Sequence, residues 1–302
     1  MPANIFQLIA NNVSIDTFKR VLDSGDDVLS LDVGGETVLI TAVKYDRVDF
    51  IKAIFKYQKA LPLMIDVSDI LGNCALHYAA KLNFFYSCKL LLSAKAALYV
   101  KDKKGNTPLI IASMKGHADI VDLLAADGDC INETNNEGLT ALMYASMSGH
   151  TNIAMTLLDA GANMHVKSDL NKWTALSLAC TRGHYEMACV LIRSGAYLFD
   201  VDSNNITLLM AATMNMNNRV VKLLLDEGVD IDKKDHRQET ALMKCVERDN
   251  FEAALLILTA GCTSKNDANI DGNTAMDLAI EDGNMHMVEL LESFECSSKA
   301  KT

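Results

Sequence analysis

The chain has one tryptophan, three prolines and no uninterrupted apolar run near the roughly 18 residues that would suggest a membrane-spanning helix. So little proline excludes a collagen-like or proline-rich chain, and with half the residues apolar and 22% charged there is ample material for a folded core. Basic charge is also short. Twenty-eight Lys and Arg stand against 39 Asp and Glu, a formal charge of -11, and the deficit is larger after residue 150 than before it. Such a field repels nucleic acid. The local exception is Lys101, Lys103 and Lys104, with Lys115 close behind, which reads more simply as a solvated rim than as a phosphate site.

None of the eight cysteines forms a Cys-x-x-Cys pair, and neither cysteines nor histidines cluster at metal-ligand spacing. They read as reduced, buried thiols of an intracellular protein, with no cofactor or metal expected. Met1 to Val13 lacks the pattern of a secretory signal, and Cys296 lies too far from the end for a prenylation box. The expectation is a soluble, monomeric, cytoplasmic protein, with the nucleus also open to it.

What the sequence does contain is a repeat. Thr107-Pro108-Leu109, Thr140-Ala141-Leu142, Thr174-Ala175-Leu176, Thr207-Leu208-Leu209 and Thr240-Ala241-Leu242 recur, and the leucine position falls at 39, 76, 109, 142, 176, 209 and 242, with Met276 last. Gly116-His117, Gly149-His150 and Gly183-His184 follow at a fixed offset. Each is succeeded by an apolar stretch such as Ile120-Val121 or Leu255 to Leu258, and most units close on a glycine: Gly128, Gly161, Gly195, Gly228 or Gly261. Each unit therefore predicts two short antiparallel helices, the first capped by its threonine and the second ending at its glycine.

A period near 33 with this motif resembles the ankyrin repeat. The resemblance covers nearly the whole chain and implies an all-α solenoid of helix-turn-helix units with short hairpin connections, in which each unit is dry only because its neighbours cover it. One ankyrin domain over 1–302 is expected: an N-terminal cap at 4–31, repeats at 32–68, 69–101, 102–134, 135–168, 169–201, 202–234 and 235–268, a C-terminal cap at 269–294, and a tail at 295–302. Gly25 closes the first cap, and Asp26 and Asp27 supply the polar face an end unit needs.

Three departures stand out. The longer interval between Leu39 and Leu76 predicts a loop over residues 57–68, containing Pro62. Cys74 replaces a capping threonine, which predicts a weaker cap. Met216 and Asp249 occupy the slot held elsewhere by the Gly of Gly-His, and Met216 is expected to strain the turn there.

No catalytic motif is present. Carboxylates are not paired by any pattern that would set an acid against a base, and phosphate loops, nucleophile elbows and His-Glu-x-x-His are absent. The turn histidines stand a full repeat apart, too far to share an ion, and the resemblance implies that they bond to backbone. It also implies a non-enzymatic interaction module that binds protein through turn tips and first-helix ends lining a concave face.

The residues before each threonine are Glu36, Asn73, Asn106, Leu139, Trp173, Ile206, Glu239 and Asn273, a slot taken to face solvent. An apolar strip of Leu139, Trp173 and Ile206, with Met147 and Met214, is then the expected docking surface. Lys103, Lys104, Met114 and Lys115 flank it on one side, Glu239 and Glu247 on the other, and Arg182 joins the set. Trp173 either anchors a partner or shields the turn region locally. Scaffold or adaptor is the first reading of the whole, with a regulatory or inhibitory subunit acting through the same surface as the second.

Overall fold

The computed structural model describes residues 5–11, 13–23, 30–56, 64–126 and 128–299. Among them regular structure is helical, without strands; the only bridges are Leu31 to Thr37 and Val201 to Thr207, both antiparallel and isolated. Two compact units form, one within residues 1–145 and 152–163, the other within 146–151 and 164–302. Gly25, Asp26, Asp27, Pro62 and residues 57–63 of the expected loop lie outside the described residues.

In the first unit α1 (Ile5–Ala10) packs on α2 (Ile15–Asp23), α3 (Val38–Lys44) on α4 (Val48–Lys56), α5 (Ala75–Leu82) on α6 (Phe85–Ser93), and α7 (Pro108–Lys115) on α8 (Ala118–Ala125). Successive first helices α1, α3, α5 and α7 touch in order, and so do α2, α4, α6 and α8. The fourth repeat contributes α9 (Ala141–Ser148) and α10 (Thr151–Asp159).

The second unit repeats the scheme with α11 (Ala175–Arg182) on α12 (Tyr185–Arg193), α13 (Leu208–Met214) on α14 (Asn218–Asp226), α15 (Ala241–Glu247) on α16 (Phe251–Thr259), and α17 (Ala275–Glu281) on α18 (Met285–Lys299). The last helix runs past residue 294, where the repeat pattern stops.

The threonines explain where the first helices begin. Thr37, Thr107, Thr140, Thr174, Thr207, Thr240 and Thr274 each accept, through Oγ1, the N–H three residues on, at 3.1–3.3 Å. Such a cap contributes about 1 kcal/mol. At Cys74 the bond runs the other way: Nδ1 of His77 accepts the Cys74 N–H at 3.2 Å, while Nε2 donates to the carbonyl of Asn106 in the next repeat at 3.0 Å. The motif leucines Leu39, Leu76 and Leu109 in the first unit, and Leu176, Leu209 and Leu242 in the second, are sealed in the core. Burying each contributes about 2 kcal/mol.

Neighbouring repeats are tied by polar groups at the inter-helix turns. His117 Nε2 donates to Lys81 O at 3.3 Å, and His184 Nε2 to Met147 O at 3.1 Å. These carbonyls belong to the last turn of the preceding first helix, where no intrahelical donor reaches them. Met216 holds the left-handed backbone of the glycine it replaces, at φ +59°, and Asp249 does so at +52°. The strain expected at Met216 therefore sits in its backbone angle and does not break the turn, because Asn217 N–H still reaches Ala212 O at 3.0 Å just as His184 N–H reaches Ala179 O.

Candidate docking surface

The hairpin before each first helix is built on one side chain. Asp32, Asp69, Asp102, Asn135, Asp202, Asp235 and Asn269 stand five residues ahead of the capping position, and the Oδ1 of each accepts two backbone N–H groups, two and four residues on, at 2.8–3.0 Å. The fifth repeat is one residue longer here and uses Ser168, whose Oγ accepts from Trp173 N–H at 2.9 Å. Lys172, at φ +57°, holds the left-handed position two residues before the capping residue that Gly35, Gly72, Gly105, Gly138 and Gly272 hold elsewhere. The same spacing could have been read from the sequence. Within each unit the tips are stitched together, as by Lys103 N–H to Leu71 O and Asn136 N–H to Lys104 O in the first and His236 N–H to Asn204 O in the second.

This construction corrects one expectation. The residue before each threonine spends its N–H on the Asx oxygen and its C=O on the Asx N–H, which draws it against the first helix. None of the eight such residues is exposed: Leu139 is buried, and Glu239 is 1% accessible. Leu139 and Glu239 are therefore not open to solvent: the expected strip loses Leu139 as an accessible anchor, and its acidic flank loses Glu239.

The other expected residues sort by unit. In the first, Lys103, Lys104, Met114 and Lys115 line one groove of about 530 Å³, whose floor adds Leu71, Ile111 and Tyr144 and whose rim adds Lys81. In the second, half-buried Trp173, Ile206 and Met214 line a groove of about 390 Å³ closed by Asn204, His236 and Arg237. Met147, Arg182 and Glu247 line neither groove; Met147 is half-buried, and Arg182 and Glu247 are exposed.

A charged cluster underlies the second groove. Lys244, nearly buried, contacts Glu239, lies 3.2 Å from Asp235 and 3.6 Å from Glu247, and lines the groove wall. Burial disfavours its ammonium, but the hydrogen bond to Glu239 and the charges of Glu247, Glu239 and Asp235 outweigh that, so its pKa is raised. Arg237 extends the cluster to Glu239 at 3.6 Å and Asp271 at 3.1 Å. The sequence reading missed Lys244. Its signal is a lysine four residues after the threonine, facing a carboxylate at both hairpin positions.

Among the described residues no group of three or more His, Cys, Asp or Glu side chains could hold a metal ion, and no helix is long and apolar enough to cross a membrane.

The family model for ankyrin repeats in three copies matches residues 5–102, 87–168, 156–235 and 209–301. The chain belongs to the ankyrin repeat family. It is 31% identical, over 91% of its length, to the ankyrin repeat and KH domain-containing protein mask-1 of Caenorhabditis elegans. It is 30% identical over 65% of its length to the putative ankyrin repeat protein YahD of Escherichia coli, covering 98% of that protein. It spans only 12% of mask-1, and no more than 22% of the other long relatives it matches. The human ASB11 ankyrin repeat domain superposes with a TM-score of 0.63 at 24% identity, over 68% of this chain and 91% of that one, which shows the fold. Ankyrin repeats are in general protein–protein interaction modules.

Proposed function

We propose that this ankyrin chain is a scaffold or adaptor, without catalysis of its own, that docks protein partners on the hairpin side of its repeats. The observation that carries this reading is the second-unit groove, where Trp173, Ile206 and Met214 leave apolar surface half open above an ion-paired wall. Half-buried Trp and Met side chains at a rigid concave site supply large contact area at small ordering cost, which is how interface anchors are built. Lys244 and its carboxylates hold the wall in place, so the groove is formed before a partner arrives.

The thiols favour a reducing compartment such as the cytoplasm. None of the seven cysteines from Cys74 to Cys262 forms a disulfide, and burial holds the Cys88 and Cys180 thiols up at about 12.

Affinity capture from lysate with wild-type bait beside Trp173→Ala tests the reading. Proteins held by wild type should be lost or thinned on the variant; identical retained sets on both baits would remove the second-unit groove as the docking site. Met214→Ala provides an independent check, because truncating that side chain leaves the hairpin untouched.

A further inference from the structure

The groove of the first unit differs from its counterpart in charge. Lys81, Lys103, Lys104 and Lys115 surround it, all four exposed. Lys101, on the same hairpin, pairs with Glu133 at 2.8 Å, yet among the described residues these four lysines form no ion pair. In a chain of net charge -11, four unpaired ammonium groups around one concavity are a local reversal of sign. Of the two acidic residues lining the groove, Asp102 turns its carboxylate inward, Oδ1 accepting Lys104 N–H and Asn106 N–H, both at 2.8 Å. Glu137 is exposed on the lip.

The lysines also stand on a rigid base. Lys103 and Lys104 are pinned through backbone bonds to Leu71 and Asn136. Gly105, at φ +78°, sits so close to Asn136 that a Cβ there would lie 2.6 Å from its backbone nitrogen. Between the lysines the floor is apolar: Leu71 is 57% exposed, Ile111 and Met114 lie deeper, and the Tyr144 hydroxyl is held by Asn135 Nδ2 at 3.0 Å.

We infer that this groove takes an acidic segment of a protein partner, seating one large apolar side chain on Leu71, Ile111 and Met114 while carboxylates on either side meet Lys81, Lys103, Lys104 and Lys115. The inference rests on the interaction reading above and names the partner chemistry for the other unit. Charge of this kind acts on capture rate and selectivity as well as on affinity, and exposed lysines are sensitive to salt.

The test is selection of a random-peptide display library on the 302-residue chain, followed by binding of the consensus peptide in labelled form. Wild type should enrich Asp and Glu around one apolar residue, and the peptide should bind more weakly as salt rises. Lys103→Glu with Lys104→Glu should weaken binding by at least about tenfold at an unchanged melting temperature, and Glu137→Lys should tighten it. Trp173→Ala, in the other unit, should leave peptide affinity as it was.

Peptides without acidic enrichment, no enriched peptide at all, or an affinity indifferent to the lysine reversals would overturn the inference. Those results would leave the docking reading standing if Trp173→Ala still strips partners from the bait. Acidic peptides lost on the lysine variant, with capture indifferent to Trp173→Ala, would instead retain this groove and discard the second-unit reading.

Discussion

The side-chain amide of Asn217 donates to the carbonyl oxygen of Cys180 at 3.1 Å. It also reaches Thr181 O at 3.0 Å, doing for the α11 terminus what His184 does for Met147 one repeat earlier. Asn250 repeats the contact to Thr213 O at 3.2 Å. The departure from Gly-His in these repeats is thus a change of donor that keeps the bond. Asn217→Ala should cost about 1 kcal/mol by urea unfolding, since Thr181 O loses its donor while Cys180 O keeps only Gly183 N–H; a loss within error of zero would mean water satisfies Thr181 O equally well.

Met216 offers the opposite sign. Its left-handed backbone at φ +59° disfavours any Cβ, and with 53% of the residue exposed little packing is at stake. Met216→Gly should raise stability by about 0.5–1 kcal/mol, read as a higher denaturant midpoint at unchanged slope. A decrease would show that the methionine side chain contributes more than its backbone costs.

Lys244 and Glu239 form the ion pair whose loss should be felt most. Lys244→Met leaves Asp235 and Glu239 together with only the more exposed Arg237 beside Glu239 and should cost about 3–5 kcal/mol, whereas adding Glu239→Leu should recover much of that. Fluorescence of Trp173, the chain's single tryptophan, reports on this unit during unfolding. Equal losses in the single and double variants would contradict the pairing.

His77 sets an acid-side dependence in the first unit. A carbonyl can only accept, so Nε2 carries the proton toward Asn106 and Nδ1 is left to accept from Cys74, which requires a neutral ring. Burial lowers its pKa from the ordinary 6.5, against the opposing hydrogen bond to Asn106 and the charges of Asp102 and Asp69. The unfolded state then binds the proton more readily. Stability from this site is complete above about pH 6.5 and falls as pH drops through the lower folded value. Stability measured from pH 7 down to pH 5 should decline more in wild type than in His77→Gln, and parallel curves would argue against a neutral buried ring.

Much of this was legible in the residues. The 33-residue period, the threonine starts and the glycine stops follow from local chemistry, and the structure places helices where they indicate. The Asx positions from Asp32 to Asn269 were equally periodic, but their meaning lies in backbone bonds that no composition or apolar pattern displays. Without those bonds, Leu139 and Glu239 read as solvent-facing. Once the hairpin closes on Asn135 or Asp235, the residue before the threonine faces inward. Lys244 was hidden for a related reason, since a lysine reads as solvent-facing until Asp235 and Glu239 are known to converge on it.

The docking account is tested most directly by photo-crosslinking inside cells, with a photoreactive residue in place of Met214 in the second-unit groove and, separately, in place of Leu255, exposed on α16 away from the hairpins. The account predicts discrete protein adducts from position 214 and far fewer from position 255. Adducts of equal yield and identity from both positions, or adducts confined to position 255, would contradict it.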